Sequence, residues 1–396
     1  MMTGCRFITA LIFLCSLFLP PASAAGAQSG ETGPQAMLAK IPASAFEAGW
    51  LSYANVPALI RGTPGAVIPQ SAQDFDSLQQ GPGGDALLRA YQALAAGPGD
   101  LYGHLYRGKE MIASSGIDFF ALSEALELGQ PPSRQIWLRG SFDHDAIFAR
   151  LKGKGYQMSA EAFPAFQVWG LDGQIDGGKT LNMKKRDPAF LFGGNLGQSW
   201  PVGLNGDLLF SSPDVEAVRA AAEGKEPFLS SLGPLMGLVN SAGRVGPEEA
   251  GELAQLYLLT PDAAGLSVLS PWDAPPAVSL PAYTLVSLSQ AFAQNSEWVL
   301  IGLSYPDASL ASEAADALAL RYEQAALTRT GETFSDRVAA MGGEAGTPFI
   351  TESEDGSRSV ILPLRFSTLE GNAPMAFRFF VNLLLSRDLG WLTAGE

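Results

Sequence analysis

The chain is nearly devoid of the side chains that most enzymes recruit for covalent or metal chemistry, with two cysteines and two histidines in 396 residues. Cys5 and Cys15 both lie in an N-terminal segment with the features of a cleaved leader, so the remainder has no thiol for a disulfide, a metal or a covalent intermediate. His104 and His144 stand too far apart for the helical two-histidine zinc motif. The G-x-S-x-G and S-x-x-K signatures of acyl transfer are also missing. Positive charge is scarce: 25 Lys and Arg face 40 Asp and Glu, a formal net charge of −15. Such a surface repels phosphate backbones and anionic lipid as a whole, which argues against nucleic acid as a partner.

Long apolar runs are confined to the first residues. Arg6 is followed by an apolar run from Phe7 to Leu19, two prolines and the triplet Ala22, Ser23, Ala24. That order is the charged, apolar and small-residue pattern of a secretory signal, and the run is shorter than the roughly 20 residues a membrane-crossing helix needs. Cleavage after Ala24 is expected, with the protein working in the periplasm or outside the cell and keeping no transmembrane segment. Residues 25–40 read as a flexible Gly-rich leader. After the signal, about 370 residues of high apolar content are enough for two domains at roughly 150 each.

A repeated junction organises that remainder: an apolar strand-like run, a short polar turn, then an amphipathic helix with acid near its start. It occurs at Trp137–Asp143, Leu208–Asp214 and Ile301–Asp307, with a weaker copy at Trp50–Asn55. Ser or a neighbour there is expected to cap the free helix amides, the Asp carboxylates complement the positive helix end, and Pro213 and Pro306 suit a first helical turn. Asn205-Gly206 and Asp355-Gly356 signal hairpins. Residues 134–223 read as strand, helix, strand, inserted loop, strand, helix, and 297–387 repeat the order with a hairpin. The expected fold is α+β, with two tandem split β-α-β (ferredoxin-like) units after a helical N-terminal region. The boundaries are 41–132 for that mainly helical region, 133–260 for the first unit, a Pro-rich linker at 261–282 and 283–396 for the second. The apolar segment Ala376–Leu392 is expected to be a docked helix rather than an anchor, because charges interrupt it.

The sharpest motif is Gly173 to Thr180, which fits G-x-x-x-x-G-K-[ST] letter for letter. A phosphate loop needs a long helix directly after it, and Pro188 stops the polar residues that follow, so a Gly-rich turn between strands is the expected reading. Asp143-His144-Asp145 resembles a metal cluster but sits at a helix start, where capping accounts for it. Tyr102, His104 and Tyr106 form a candidate pocket, against the plainer reading of a packed aromatic face. Asp172 with Asp176, and Glu352 with Glu354 and Asp355, read as solvated hairpin tips. The local anomaly is a basic cluster, Lys179, Lys184, Lys185 and Arg186, within eight positions of an acidic chain. It is a candidate docking point for an anionic cell-envelope component, a solvated tip being the competing reading.

These features point to an exported binding or scaffolding protein with no catalytic residues, metal or cofactor. A carboxylate-dependent hydrolase of envelope polymers, stacking sugars on some of Trp137, Trp169, Trp200 and Trp298, is one alternative. A small-ligand carrier is another.

Overall fold

Each strand-to-helix junction is closed by one short polar side chain. Asp143 Oδ1 accepts the Ala146 amide at 3.0 Å to start helix His144–Gly153. Asp214 Oδ1 accepts Glu216 N at 3.0 Å ahead of Val215–Glu223, and Asp307 Oδ1 accepts Leu310 N at 2.9 Å ahead of Ala308–Gln324. In the weaker copy, Asn55 Oδ1 accepts Ala58 N at 3.0 Å. The acids are therefore the caps themselves, satisfying amide donors that have no intrahelical partner. Pro213 and Pro306 stand one residue ahead of their caps, not in the first turn as expected. Proline's fixed φ there sets the approach of the chain to the cap.

The computed structural model describes residues 33–102, 107–130, 134–176, 178, 180–263, 265, 278–327, 330–368 and 375–394, except the side chains of residues 100 and 102. The expected signal peptide, His104, Tyr106, Lys179 and the prolines at 271, 275 and 276 lie outside these residues, as does the side chain of Tyr102.

Among the described residues, thirteen strands build one antiparallel sheet. The first half contributes β1 (Trp50–Asn55), β2 (Leu122–Leu128), β3 (Gln135–Gly140), β4 (Tyr156–Met158), β5 (Gln167–Leu171), β6 (Val202–Asn205) and β7 (Leu208–Ser211). The second contributes β8 (Glu252–Leu259), β9 (Leu285–Ala293), β10 (Ser296–Tyr305), β11 (Gly343–Ala345), β12 (Phe349–Glu352) and β13 (Arg358–Ser367). The order across the sheet is β11-β13-β10-β9-β8-β1-β2-β3-β7-β6-β5-β4, with β12 also paired to β13. The fold is α+β. The two units expected from the sequence do not form separate sheets, because β8, which falls in the first expected unit, pairs with β9 in the second through Leu256↔Ser289 and Leu258↔Ser287 and makes them one sheet.

Leu122–Leu128, read from sequence as part of the helical region, is a strand near the middle of the sheet. Its Leu, Glu and Ala favour helix, yet pairing with β1 on one side and β3 on the other overrides that weak preference.

Alternation along the strands separates the cores. In β8, Leu256 and Leu258 join one core while Tyr257 and Leu259 join another on the opposite face. The Tyr257 core holds helix Ala376–Leu385, whose Phe377 and Phe380 are fully buried; the C-terminal segment docks, but the helix stops at Leu385 and Gly390–Leu392 form a 3₁₀ turn where a helix to Leu392 is expected from the sequence. At roughly 1.5–3 kcal/mol for each large side chain removed from water, that helix is a substantial part of the stability. No helix among the described residues is long and apolar enough to cross a membrane.

Candidate functional site

The basic cluster lies in the connection between β5 and β6, and hydrogen bonding gives that connection a defined form. Asp172 (φ 54°) and Gly173 (φ 78°) turn the chain out of β5. No helix follows the phosphate-loop pattern directly; the first element after Thr180 is the three-residue 3₁₀ turn Met183–Lys185. Asn182 organises that turn, its Oδ1 accepting Lys184 N at 3.2 Å and its carbonyl accepting Lys185 N at 2.8 Å. The Asn182 amide in turn donates to Leu196 O at 3.3 Å, and Asp187 N donates to Gly194 O at 2.9 Å. Gly197, at φ 66°, lies so close to the Asn182 carbonyl that a Cβ there would overlap it.

The return limb anchors this turn to the core. Phe190, Leu191, Phe192 and Trp200 are buried, and Trp200 N donates to Phe192 O at 3.0 Å. At the base, Asp187 Oδ2 accepts Lys154 Nζ at 2.7 Å and Ser114 Oγ at 2.5 Å. Partial burial pushes the Asp187 carboxyl up, but these two bonds and the Lys154 charge outweigh it and hold the group below its ordinary range. The Lys154 ammonium also sits 4.6 Å from the centre of the Phe190 ring.

Lys184, Lys185 and Arg186 are all exposed on this frame. Arg186 Nη2 donates to Asn195 Oδ1 at 3.1 Å. Among the described residues no carboxylate forms an ion pair with any of the three. The turn therefore presents three cations in succession that no carboxylate among the described residues pairs with.

Other sequence-derived candidates resolve differently. Asp143 is a cap, and His144 Nε2 lies 2.8 Å from the Gly206 carbonyl, which can only accept, so that ring nitrogen donates. Asp172, Asp176, Glu352, Glu354 and Asp355 are exposed, with Glu352 bonded to Arg358 at 2.9 Å. Trp137, Trp169 and Trp200 are buried; Trp137 stacks on Phe210 at 4.9 Å instead of facing a sugar.

Sequence reasoning missed the buried carboxyl groups, of which Glu124 and Glu297 are the most enclosed. Glu124 Oε1 accepts the Tyr53 hydroxyl and the Gly33 amide, each at 2.6 Å, and its Oε2 accepts Arg139 Nη1 at 2.6 Å. Burial and the adjacent Glu124 charge push the Tyr53 hydroxyl well above its usual range. Glu297 Oε1 accepts Gln290 Nε2 at 2.6 Å and Phe377 N at 3.0 Å, and its Oε2 accepts Ala376 N at 3.2 Å. Burial raises that carboxyl to about 7, with the three donors acting in the opposite direction. Both groups lie inside the packed sheet, bonded to the protein itself.

No family model matches this chain, and no curated protein is similar to it in sequence. Among solved structures, crystal form III of TP0453 is similar over 87% of this chain and 98% of that one, at 8% identity and a TM-score of 0.36. Crystal form IV of TP0453 is similar over 83% and 93%, at 9% identity and a TM-score of 0.33.

Proposed function

We propose that this protein is an exported binding or scaffolding protein of the cell envelope that docks an anionic component on the turn carrying Lys184, Lys185 and Arg186. One observation carries the reading: three exposed cations occupy consecutive positions on a hydrogen-bonded turn, without carboxylate partners among the described residues, in a chain of net charge −15. Some exposed bases elsewhere are paired with acids, as Lys109 is with Asp76 at 2.8 Å and Arg219 with Glu161 at 3.1 Å, whereas here three cations unpaired among the described residues stand at consecutive positions. Like charges crowded together repel, and an anion placed among them relieves that repulsion. The pinned turn lowers the ordering cost of binding, since the backbone already holds one conformation. Lys179, outside the described residues, belongs to the same cluster by sequence. In this reading two related β-α-β halves supply a rigid platform, with the turn as an insertion in the first.

The test compares the parent with the triple variant Lys184→Ser, Lys185→Ser, Arg186→Ser on an immobilised uronic-acid polymer across a salt series. The parent is retained at low salt and released as the Debye length falls from about 10 Å at 0.1 M to about 3 Å at 1 M. The variant elutes early throughout. Equal retention of the two proteins removes the turn as the docking point.

A further inference from the structure

The same turn carries apolar side chains that a purely polyanionic partner leaves in water. Leu181 is 62% exposed and Met183 is 63% exposed, both within three residues of Lys184 in sequence. Leu196, exposed at 38%, is tied beside them through the Asn182 to Leu196 backbone bond. Of the nine large apolar side chains exposed among the described residues, three thus belong to this one knuckle. Scattered exposed leucines need no explanation, but three gathered at a cationic tip do.

Resting on the anion-docking reading above, we infer that the partner is a lipid bilayer surface bearing anionic phosphate headgroups. Leu181 and Met183 enter the boundary between headgroups and acyl chains while Lys184, Lys185 and Arg186 remain at the phosphates. The two sets of contacts are complementary. A bilayer interface offers apolar depth and surface negative charge within a few ångströms of each other, and a bound segment needs both for appreciable affinity. A soluble polyanion offers only the charge. The excess of acid over the whole chain opposes approach in most orientations, and screening at physiological salt confines that repulsion to about 8 Å. Attachment is therefore tip-first, through the segment of inverted charge. It is also shallow and reversible, because two apolar side chains make a much weaker anchor than a spanning helix.

The test uses three forms of the full-length protein purified without its leader: the parent, the triple serine variant of the cations, and Leu181→Ser with Met183→Ser. Each is sedimented with vesicles of phosphatidylcholine alone, sedimented with vesicles of phosphatidylcholine and phosphatidylglycerol, and applied to the uronic-acid matrix. Thermal melts confirm that the variants fold, as the substituted side chains are exposed. The parent is expected to sediment with the anionic vesicles and not with the neutral ones. The Leu181, Met183 variant binds anionic vesicles about tenfold more weakly, yet is retained on the matrix like the parent. The cation variant loses both interactions. If the parent is retained on the matrix but ignores vesicles, or if the apolar variant binds vesicles as tightly as the parent, the lipid assignment is overturned and the anion-docking reading stands. Failure of the parent on vesicles and matrix alike overturns both.

Discussion

The Glu297 carboxyl is surrounded by amide donors rather than by cations. Its partner Gln290 extends the polar line, since Gln290 Oε1 accepts Gln255 Nε2 at 2.6 Å and Gln255 Oε1 accepts the Ala95 and Ala96 amides at 2.7 and 2.9 Å. The line thus runs from the segment at Ala95 across β8, β9 and β10 to the start of the C-terminal helix. Folding raises the Glu297 pKa from its ordinary 4.5 to about 7, so over that interval the folded chain keeps a proton that the unfolded chain has released. The stability this contributes is full below about 4.5 and is lost as pH rises through 7, on the order of 3 kcal/mol at roughly 1.4 per pH unit. Glu297→Gln cannot titrate. Urea unfolding of the variant between pH 5 and 8 is expected to show a flatter profile than the parent, whatever its absolute stability. Parallel declines in the two proteins would show that Glu297 does not set this dependence.

At the scale of elements, the presentation of the cations depends on Gly197. Alanine there places a Cβ on the Asn182 carbonyl and occupies a left-handed conformation, a strain of about 1–3 kcal/mol that displacing the turn relieves. Gly197→Ala is expected to weaken retention on the anionic matrix several-fold while moving the melting temperature only a few degrees. Unchanged retention would mean that the charges act without the geometry of the turn. Which elements were legible in the sequence follows the same local logic. The caps at Asp143, Asp214 and Asp307 could be read because a cap acts within three residues of itself. The strand at Leu122–Leu128 could not, because its partners lie on β1 and β3 and its own residues favour helix. The basic cluster was visible in the composition, but its rigidity was not. Asn182 finds its partner at Leu196 only through space, and the sole local hint was the apolar run Ala189–Phe192, which draws the loop back into the core. Glu297 gave no signal, since its burial comes from the docking of the C-terminal helix.

Over the whole molecule, two features act on one surface: a strongly acidic chain and a small region of opposite charge. The joined sheet makes that region a fixed part of one body, because β5 and β6, which bracket it, belong to the same antiparallel array as the other strands. Under the proposed reading, an anionic partner would be oriented by the chain as well as held by it, repelled by acid elsewhere and admitted at the turn. The most direct test of the central claim is hydrogen–deuterium exchange of the folded parent, free and saturated with anionic vesicles, read peptide by peptide. Protection is predicted over residues 180–198, spanning the cations, the exposed apolar tips and the segment that pins them, with the remainder of the sheet unchanged. Protection confined to any other region, with residues 180–198 exchanging alike in both states, would contradict the account.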